Sequence, residues 1–406
     1  MNKSWATRAV VCGLAIGSGI ISGTAGAGCG FLKSITGDNT ISLESAQVKA
    51  MSVDIRRDQK TICPRAPVQL AVFADVVREG ESATEKLETW SGARNANKND
   101  KLDFSEFGFQ GKFGAIDDIG WFSPNPDVLE TAAAEFAITT TYKRQPAEFT
   151  FTTTYKPDYT CIKDSGKSGG SGATGPAGAS GEAGNAGSSG STTSAGAAGS
   201  DGSNGGAGAS ATDGEPGPRI SIFATMVKTA HYERLVALVI SGDVSDVLLV
   251  PESQPFTVRA IGGDGGGGGP GGNGGHGGQG GQGNPGANGG RGGIGANGGA
   301  GGRGGRGGDI ELTFDPRFAE IPTHIKLMVD GGAGGAPGSA GRGGPGGSGG
   351  SGLAPPGQTA ASGTSGSSGT DGTAGAAGPS GQNGTARAVP GDVGARFKSL
   401  RNLEVL

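Results

Sequence analysis

The chain has 406 residues, 87 of them glycine, and aromatic residues make up only 5%. Its 33 basic and 37 acidic side chains leave a net charge of −4, without the basic excess that nucleic acid or an anionic membrane surface selects. Glycine contributes no side chain to a core, so any hydrophobic core must be confined to the glycine-poor stretches.

Lys3 and Arg8 precede an apolar run from Ala9 to Ile21, and small residues follow from Ser22 to Gly28. This is the pattern of a secretory signal peptide over residues 1–28, and the run is too short and glycine-broken to span a membrane. Two processing readings stay open. Ala25-Gly26-Ala27 is an A-x-A cleavage site. Ala27-Gly28-Cys29 resembles the end of a bacterial lipobox, although Gly26 stands where an aliphatic residue is usual. That resemblance implies lipidation of Cys29, a membrane partner through the N-terminal lipid, and a tether over 29–39. Cys12 leaves with the leader, so a lipidated Cys29 would leave Cys63 and Cys161 as one pair. A free Cys29 would leave an odd thiol in an exported chain. Loss of Lys3 and Arg8 takes the net charge to about −6.

Residues 40–162 alternate with period two, as in Val68, Leu70, Val72 and in Phe136, Ile138, Thr140, Tyr142. Tyr159 lies two residues before Cys161. Size, alternation and that spacing resemble bacterial immunoglobulin-like domains, which implies a β-sandwich with a tyrosine corner. A Cys63–Cys161 bridge would tie the Val68 strand to the last strand and contribute about 2–4 kcal/mol. Trp90 and Trp121 are expected in the core, with a carbohydrate-stacking surface as the alternative. Asn95 to Glu106 resembles an EF-hand loop, but Asn95 and Asp100 stand where Asp and Gly are usual, so a polar hairpin loop is expected there.

Glycine then occupies successive third positions from Gly166 to Gly217, except at Thr193 and Ala211. This Gly-X-Y stretch, 163–217, resembles bacterial collagen-like repeats, and with little proline it is expected to be a mobile spacer, with an element of a trimer or bundle as the alternative. Gly166-Lys167-Ser168 has the tail of a phosphate-binding loop without its first glycine.

Residues 218–330 read as a second β-domain interrupted at 262–309. Inside the interruption glycine recurs at every third position from Gly262 to Gly307. The next position is also glycine, except at Asn284, Ala287 and Ala296. Three residues per turn is the period of the polyproline-II helix, so each glycine column is a bare edge along which another backbone can approach. The run resembles the polyglycine-II bundles of glycine-rich antifreeze proteins and phage tail-tip adhesins. Ala260-Ile261-Gly262-Gly263 and Val329-Asp330-Gly331-Gly332 repeat one change from strand to glycine, so the runs are expected to belong to the β-domain.

Gly-Gly-X returns at 331–336, slips at Pro337, and resumes at 338–350 within a glycine-rich tail, 331–386. The segment 387–406 carries Val393, Phe397, Leu400, Leu403 and Val405 and reads either as an amphipathic element that docks or as a loose terminus. His231, His276 and His324 are scattered, and Arg303 and Arg306 read as a solvated face.

The expected protein is mainly β: an immunoglobulin-like sandwich plus a second small β-domain carrying a polyglycine-II bundle, with low-complexity Gly-X-Y segments. The chain resembles collagen-like, glycine-rich bacterial surface lipoproteins. That resemblance implies an exported cell-envelope protein, an outer-membrane lipoprotein at the cell surface. Its role would be structural or adhesive and non-enzymatic, with an extracellular protein or polysaccharide as partner, room for self-association, and no cofactor or metal. Ice or hydrated-polymer binding by the bundle, and a secreted collagen-like trimeric fibre, are the alternatives.

Overall fold

The structure, a computed structural model, describes residues 40–406 apart from 42, 56–58 and 90–100. The expected signal peptide, Cys29 and the expected tether, Trp90, and Asn95 to Asp100 lie outside the described residues. The chain is mainly β, with several sheets.

Two sheets build the first region. Its strands are β1 (Thr40–Ile41), β2 (Ala46–Ile55), β3 (Thr61–Ile62), β4 (Val68–Arg78), β5 (Glu85–Glu88), β6 (Lys101–Leu102), β7 (Phe107–Lys112), β8 (Gly114–Ile116) and β9 (Trp121–Pro124). A one-turn helix α1 (Val128–Thr131) precedes β10 (Phe136–Tyr142) and β11 (Thr150–Pro157). One sheet runs β1-β6-β5-β4-β9-β8 with β2 also on β4, and the other runs β3-β11-β10-β7. The period-two alternation buries one face of each sheet: Leu70, Val72, Ala74 and Val76 on β4 face Phe107, Phe136, Ile138 and Tyr142. Cys63 and Cys161 are joined, tying the chain after β3 to the chain after β11.

Two expectations fail here. Trp121 is 36% exposed on β9 and is not a core residue. Tyr159 is buried, but its hydroxyl lies 3.4 Å from Thr131 Oγ1 and its ring packs on Tyr232. It therefore anchors α1 to the second β region instead of forming a tyrosine corner. Tyr232 Oη donates to Pro157 O, Arg65 pairs with Asp246, and Arg401 pairs with Asp127 across the same boundary. Val128, Ala132, Tyr159 and Ile162 share one core with the second region.

The second region is three copies of one unit: strand, glycine run, turn, glycine run, strand. The first is β12 (Asp164–Ser168), run 1 (169–190), run 2 (195–217) and β13 (Ile220–Lys228). After the antiparallel strands β14 (Leu235–Gly242) and β15 (Asp246–Pro251) comes the second: β16 (Phe256–Ile261), run 3 (262–283), run 4 (286–308) and β17 (Ile310–Phe314). The short helix α2 (Ile321–His324) leads to the third: β18 (Ile325–Met328), run 5 (331–352), run 6 (361–385) and β19 (Ala386–Pro390). The leading strands β12, β16 and β18 form one parallel sheet. The closing strands β13, β17 and β19 pair in parallel in another, which β14 and β15 extend. The chain ends in α3 (Gly394–Phe397) and β20 (Glu404–Val405), which pairs with β13. Val393 and Phe397 are buried, so the terminal segment docks on this core.

The stretch expected to be a mobile spacer is instead the first unit. β12 pairs with β16, and Gly166-Lys167-Ser168 is strand and not a phosphate loop. Gly166 sits at φ +96°, and a Cβ there would lie 2.0 Å from Arg259 O, so glycine is required. Thr193 breaks the period because it lies in the turn between runs 1 and 2. Ala211 keeps the register, donating to Ala300 O at 2.9 Å. The expected slip at Pro337 does not occur either. Gly332, Gly335, Gly338 and every third residue to Gly350 donate to run 4 without a break.

Candidate functional site

The six runs form a two-layer stack. Runs 1, 3 and 5 lie parallel in one layer: Gly172 N donates to Asp264 O at 2.7 Å, and Gly265 N to Ala333 O at 2.8 Å. Runs 2, 4 and 6 lie parallel in the other: Gly199 N donates to Asn288 O at 3.0 Å, and Gly289 N to Thr364 O at 2.9 Å. Antiparallel bonds stitch the layers. In one rung Ser203 N donates to Glu182 O, Gly275 N to Ser203 O, Gly293 N to Gly275 O, Gly344 N to Gly293 O, and Gly369 N to Gly344 O, all at 2.8–2.9 Å. Buried backbone groups thus find partners, which offsets the large ordering entropy of glycine.

Position in the stack accounts for the repeat types of the central runs 3 and 4 and of the corner runs 1 and 6. Runs 3 and 4 each bond to four other runs, and corner runs 1 and 6 to two. A run with four neighbours has two of its three edges covered. A Cβ at Gly278 would lie 2.0 Å from Asn185 O of run 1, and one at Gly277 would lie 2.1 Å from Gly290 O of run 4. Those columns are Gly-Gly, and X is the one exposed column. Corner runs need one bare edge, so Gly-X-Y suffices. The column of run 4 that holds Ala287 and Ala296 is the one facing run 2.

Side-chain oxygens cap some of the amides that no backbone reaches. Asp201, Asn204 and Asp213 of run 2 accept from Arg291, Ile294 and Arg303 N, each 90 residues on. Asn288, Asn297 and Asp309 accept from Thr364, Thr373 and Thr385 N, each 76 residues on. Asp264 and Asn273 accept from Ala333 and Arg342 N, each 69 residues on. At the edge of runs 1 and 2, Ala173 N donates to Thr212 Oγ1, and Glu182 and Asn185 N donate to Ser203 and Ser200 Oγ. In this register Pro176, which has no N–H, falls opposite Ala209, which has no side-chain acceptor. Gly343 N donates to Asp371 and Gly331 N to Asn383 at the other edge; the same register puts Pro337 opposite Ala377. These caps close part of the edge donors to pairing with another chain.

Two outer faces remain. The X side chains of run 3, including Asp264, Asn273, His276 and Gln279, lie exposed on one. Those of run 4, including Arg291, Ile294 and Arg303, lie exposed on the other, where Ile294 is 50% exposed. Along each column neighbours are about 9 Å apart, at ~3.1 Å per residue. A cleft of about 360 Å³ opens beside Arg303, Arg306, Pro379 and Gln382. Arg306 bonds Asp309 at 2.9 Å. That guanidinium, and then Thr385, hold the Asp309 carboxyl well below the usual carboxylate range. The tip far from the sheets is made by turns 191–194, 284–285 and 353–360, where Asn284 Nδ2 donates to Thr192 O.

The remaining candidates fall elsewhere. Lys101–Leu102 of the EF-hand-like stretch is β6, with Leu102 in the core. Asp103 caps a 3₁₀ turn through Ser105 N, and Glu106 accepts from Arg144 Nε at 2.9 Å, so both carboxylates are structurally engaged. His276 is exposed on run 3, His324 ends α2, and His231 is half-buried in the turn after β13. No helix of the described residues is long and apolar enough to cross a membrane. Comparison with protein-family models, curated proteins and solved structures finds no match to the chain.

Proposed function

We propose that this is a non-enzymatic, exported surface module, lipid-anchored through Cys29, in which an immunoglobulin-like sandwich carries a polyglycine-II bundle. The bundle presents side-chain columns and tip turns to an extracellular protein or polysaccharide. One observation carries this reading: the register of the sheets continues into the runs. β16 and β18 pair at an offset of 69 residues, β13 and β17 at 90, and β17 and β19 at 76, the same offsets as the side-chain caps along the runs. Strand rise (~3.3 Å) and polyproline-II rise (~3.1 Å) nearly match, so a sheet can template the runs that leave it. The runs then project about 70 Å from the sheets, a stalk that sets its tip apart from the anchored end. The immunoglobulin-like reading of 40–162 rests on its two facing sheets and disulfide; the displaced role of Tyr159 is its main departure.

The test is display on a lipoprotein-competent bacterium. Mass spectrometry should find an acylated Cys29 at the mature N-terminus. Replacing turns 191–194 and 353–360 with Gly-Ser sequence should abolish adhesion of the displaying cells while leaving thermal stability near wild type. A chain beginning at Gly28, or adhesion indifferent to the tip and to both faces, would sink the reading. In the ice-binding alternative the proposed flat layers would support thermal hysteresis by purified protein, yet Arg303, His276 and Gln279 break the regularity such a face would need.

A further inference from the structure

The first sandwich carries an open groove of about 530 Å³ that the glycine stack does not use. Gln59, Thr61, Gln69, Trp121 and Asp158 line it, beside the Cys63–Cys161 bridge. Trp121 pairs with Gln69 across β9 and β4, so the exposed indole and that amide stand side by side. The backbone that carries the indole is fixed from behind. Asp117 Oδ1 accepts from Trp121 N at 2.7 Å and from Ile119 N at 3.1 Å, and Gly120 turns the chain at φ +78°. Asp158 is equally fixed: one oxygen accepts from Thr160 N at 2.8 Å and from its hydroxyl at 2.7 Å. Among the described residues its other oxygen has only a long contact, 3.4 Å, from Thr61 Oγ1. The side-chain amides of Gln59 and Gln69 have no hydrogen-bond partner among the described residues.

A held, exposed indole ringed by unspent amides and a carboxylate is the chemistry that recognises a sugar. Equatorially substituted pyranose rings present an apolar C–H face to an aromatic ring, while amides and carboxylates bond the hydroxyls at its rim. We propose that this groove binds a neutral, β-linked hexose oligosaccharide, with Trp121 as stacking platform, Gln59 and Gln69 bonding hydroxyls, and Asp158 accepting one hydroxyl and disfavouring uronic acids. The site lies on the first sandwich and is independent of what the bundle binds.

The test is isothermal titration of the whole mature protein with cellohexaose, with polygalacturonate as the anionic comparison. Saturable binding of cellohexaose is expected, weakened roughly tenfold or more by Trp121→Ala and largely kept by Trp121→Phe, which retains a ring. Gln69→Ala should weaken it several-fold and serves as a second probe if Trp121→Ala lowers stability. Absence of cellohexaose binding, equal binding by Trp121→Ala and Gln69→Ala, or equally tight binding of polygalacturonate would overturn the assignment. The measurement involves neither anchor nor tip, so its failure would leave the surface-module reading standing.

Discussion

At the residue scale, the same substitution should have opposite consequences in two columns of one run. A Cβ at Gly277 would lie 2.1 Å from Gly290 O and 2.7 Å from Gly347 N. Backbone on two sides cannot give way cheaply, so Gly277→Ala should cost about 1–3 kcal/mol. At Gly267, in the exposed column, the nearest atom is Ala336 O at 3.9 Å. There Gly267→Ala should be neutral or stabilising by up to about 1 kcal/mol, because it restricts the unfolded chain. Paired thermal melts decide; equal effects would contradict the column assignment. A second residue-scale prediction concerns Asp315, buried at the end of β17. Arg317, then the Arg317 amide and Thr225 Oγ1, lower its pKa against burial to about 2 from 3.8. A depressed folded pKa gives stability that is fully present above about 3.8 and lost as pH falls through about 2. The stability gap between wild type and Asp315→Asn should therefore shrink between pH 4 and pH 2, by about 2 kcal/mol at ~1.4 kcal/mol per unit. A constant gap would show that the ion pair contributes nothing. The alternating core residues of β4 and β10 were legible in the sequence because period two has one structural meaning. Trp121 was not, since whether a sheet residue faces core or solvent at a strand's end depends on which strands cover it.

At the element scale, register is the property that matters. Deleting Ala300 from run 4 shifts the following residues by one, moving Arg303 and Arg306 into columns now held by glycine. That variant should lose the stack's cooperative melt. Deleting the triplet 300–302 keeps the columns in phase and costs only rungs, so it should melt lower but still cooperatively. Calorimetry separates the two, and identical outcomes would mean that period three is not what orders the runs. Period three itself was plain in the sequence. Its partner choice was not: Gly-X-Y reads as collagen-like because a lone glycine column suits a triple-helix axis and a bundle corner equally well. The deciding facts are long-range, such as the 92-residue step from Gly172 N to Asp264 O. Pro337 looked like a slip only because the column facing run 6 changes there, while the column facing run 4 continues unbroken.

For the whole molecule, three strand–run–run–strand units share one pair of sheets, and the sheets' core reaches into the first sandwich through Val128, Ala132, Tyr159 and Ile162. The sandwich, the sheets and the runs should therefore be one cooperative body, with self-association unnecessary to satisfy the glycine columns. The most direct measurement is hydrogen exchange of the purified protein at a concentration where sedimentation shows a monomer. The third-position glycine amides of 169–190 and 195–217 should be protected as well as those of 262–283 and 286–308, with fast exchange confined to the turns, including 191–194 and 353–360, and to the solvent-facing columns of the runs. Unprotected amides throughout 169–217 in the monomer, or protection that appears only on trimerisation, would contradict the intramolecular stack.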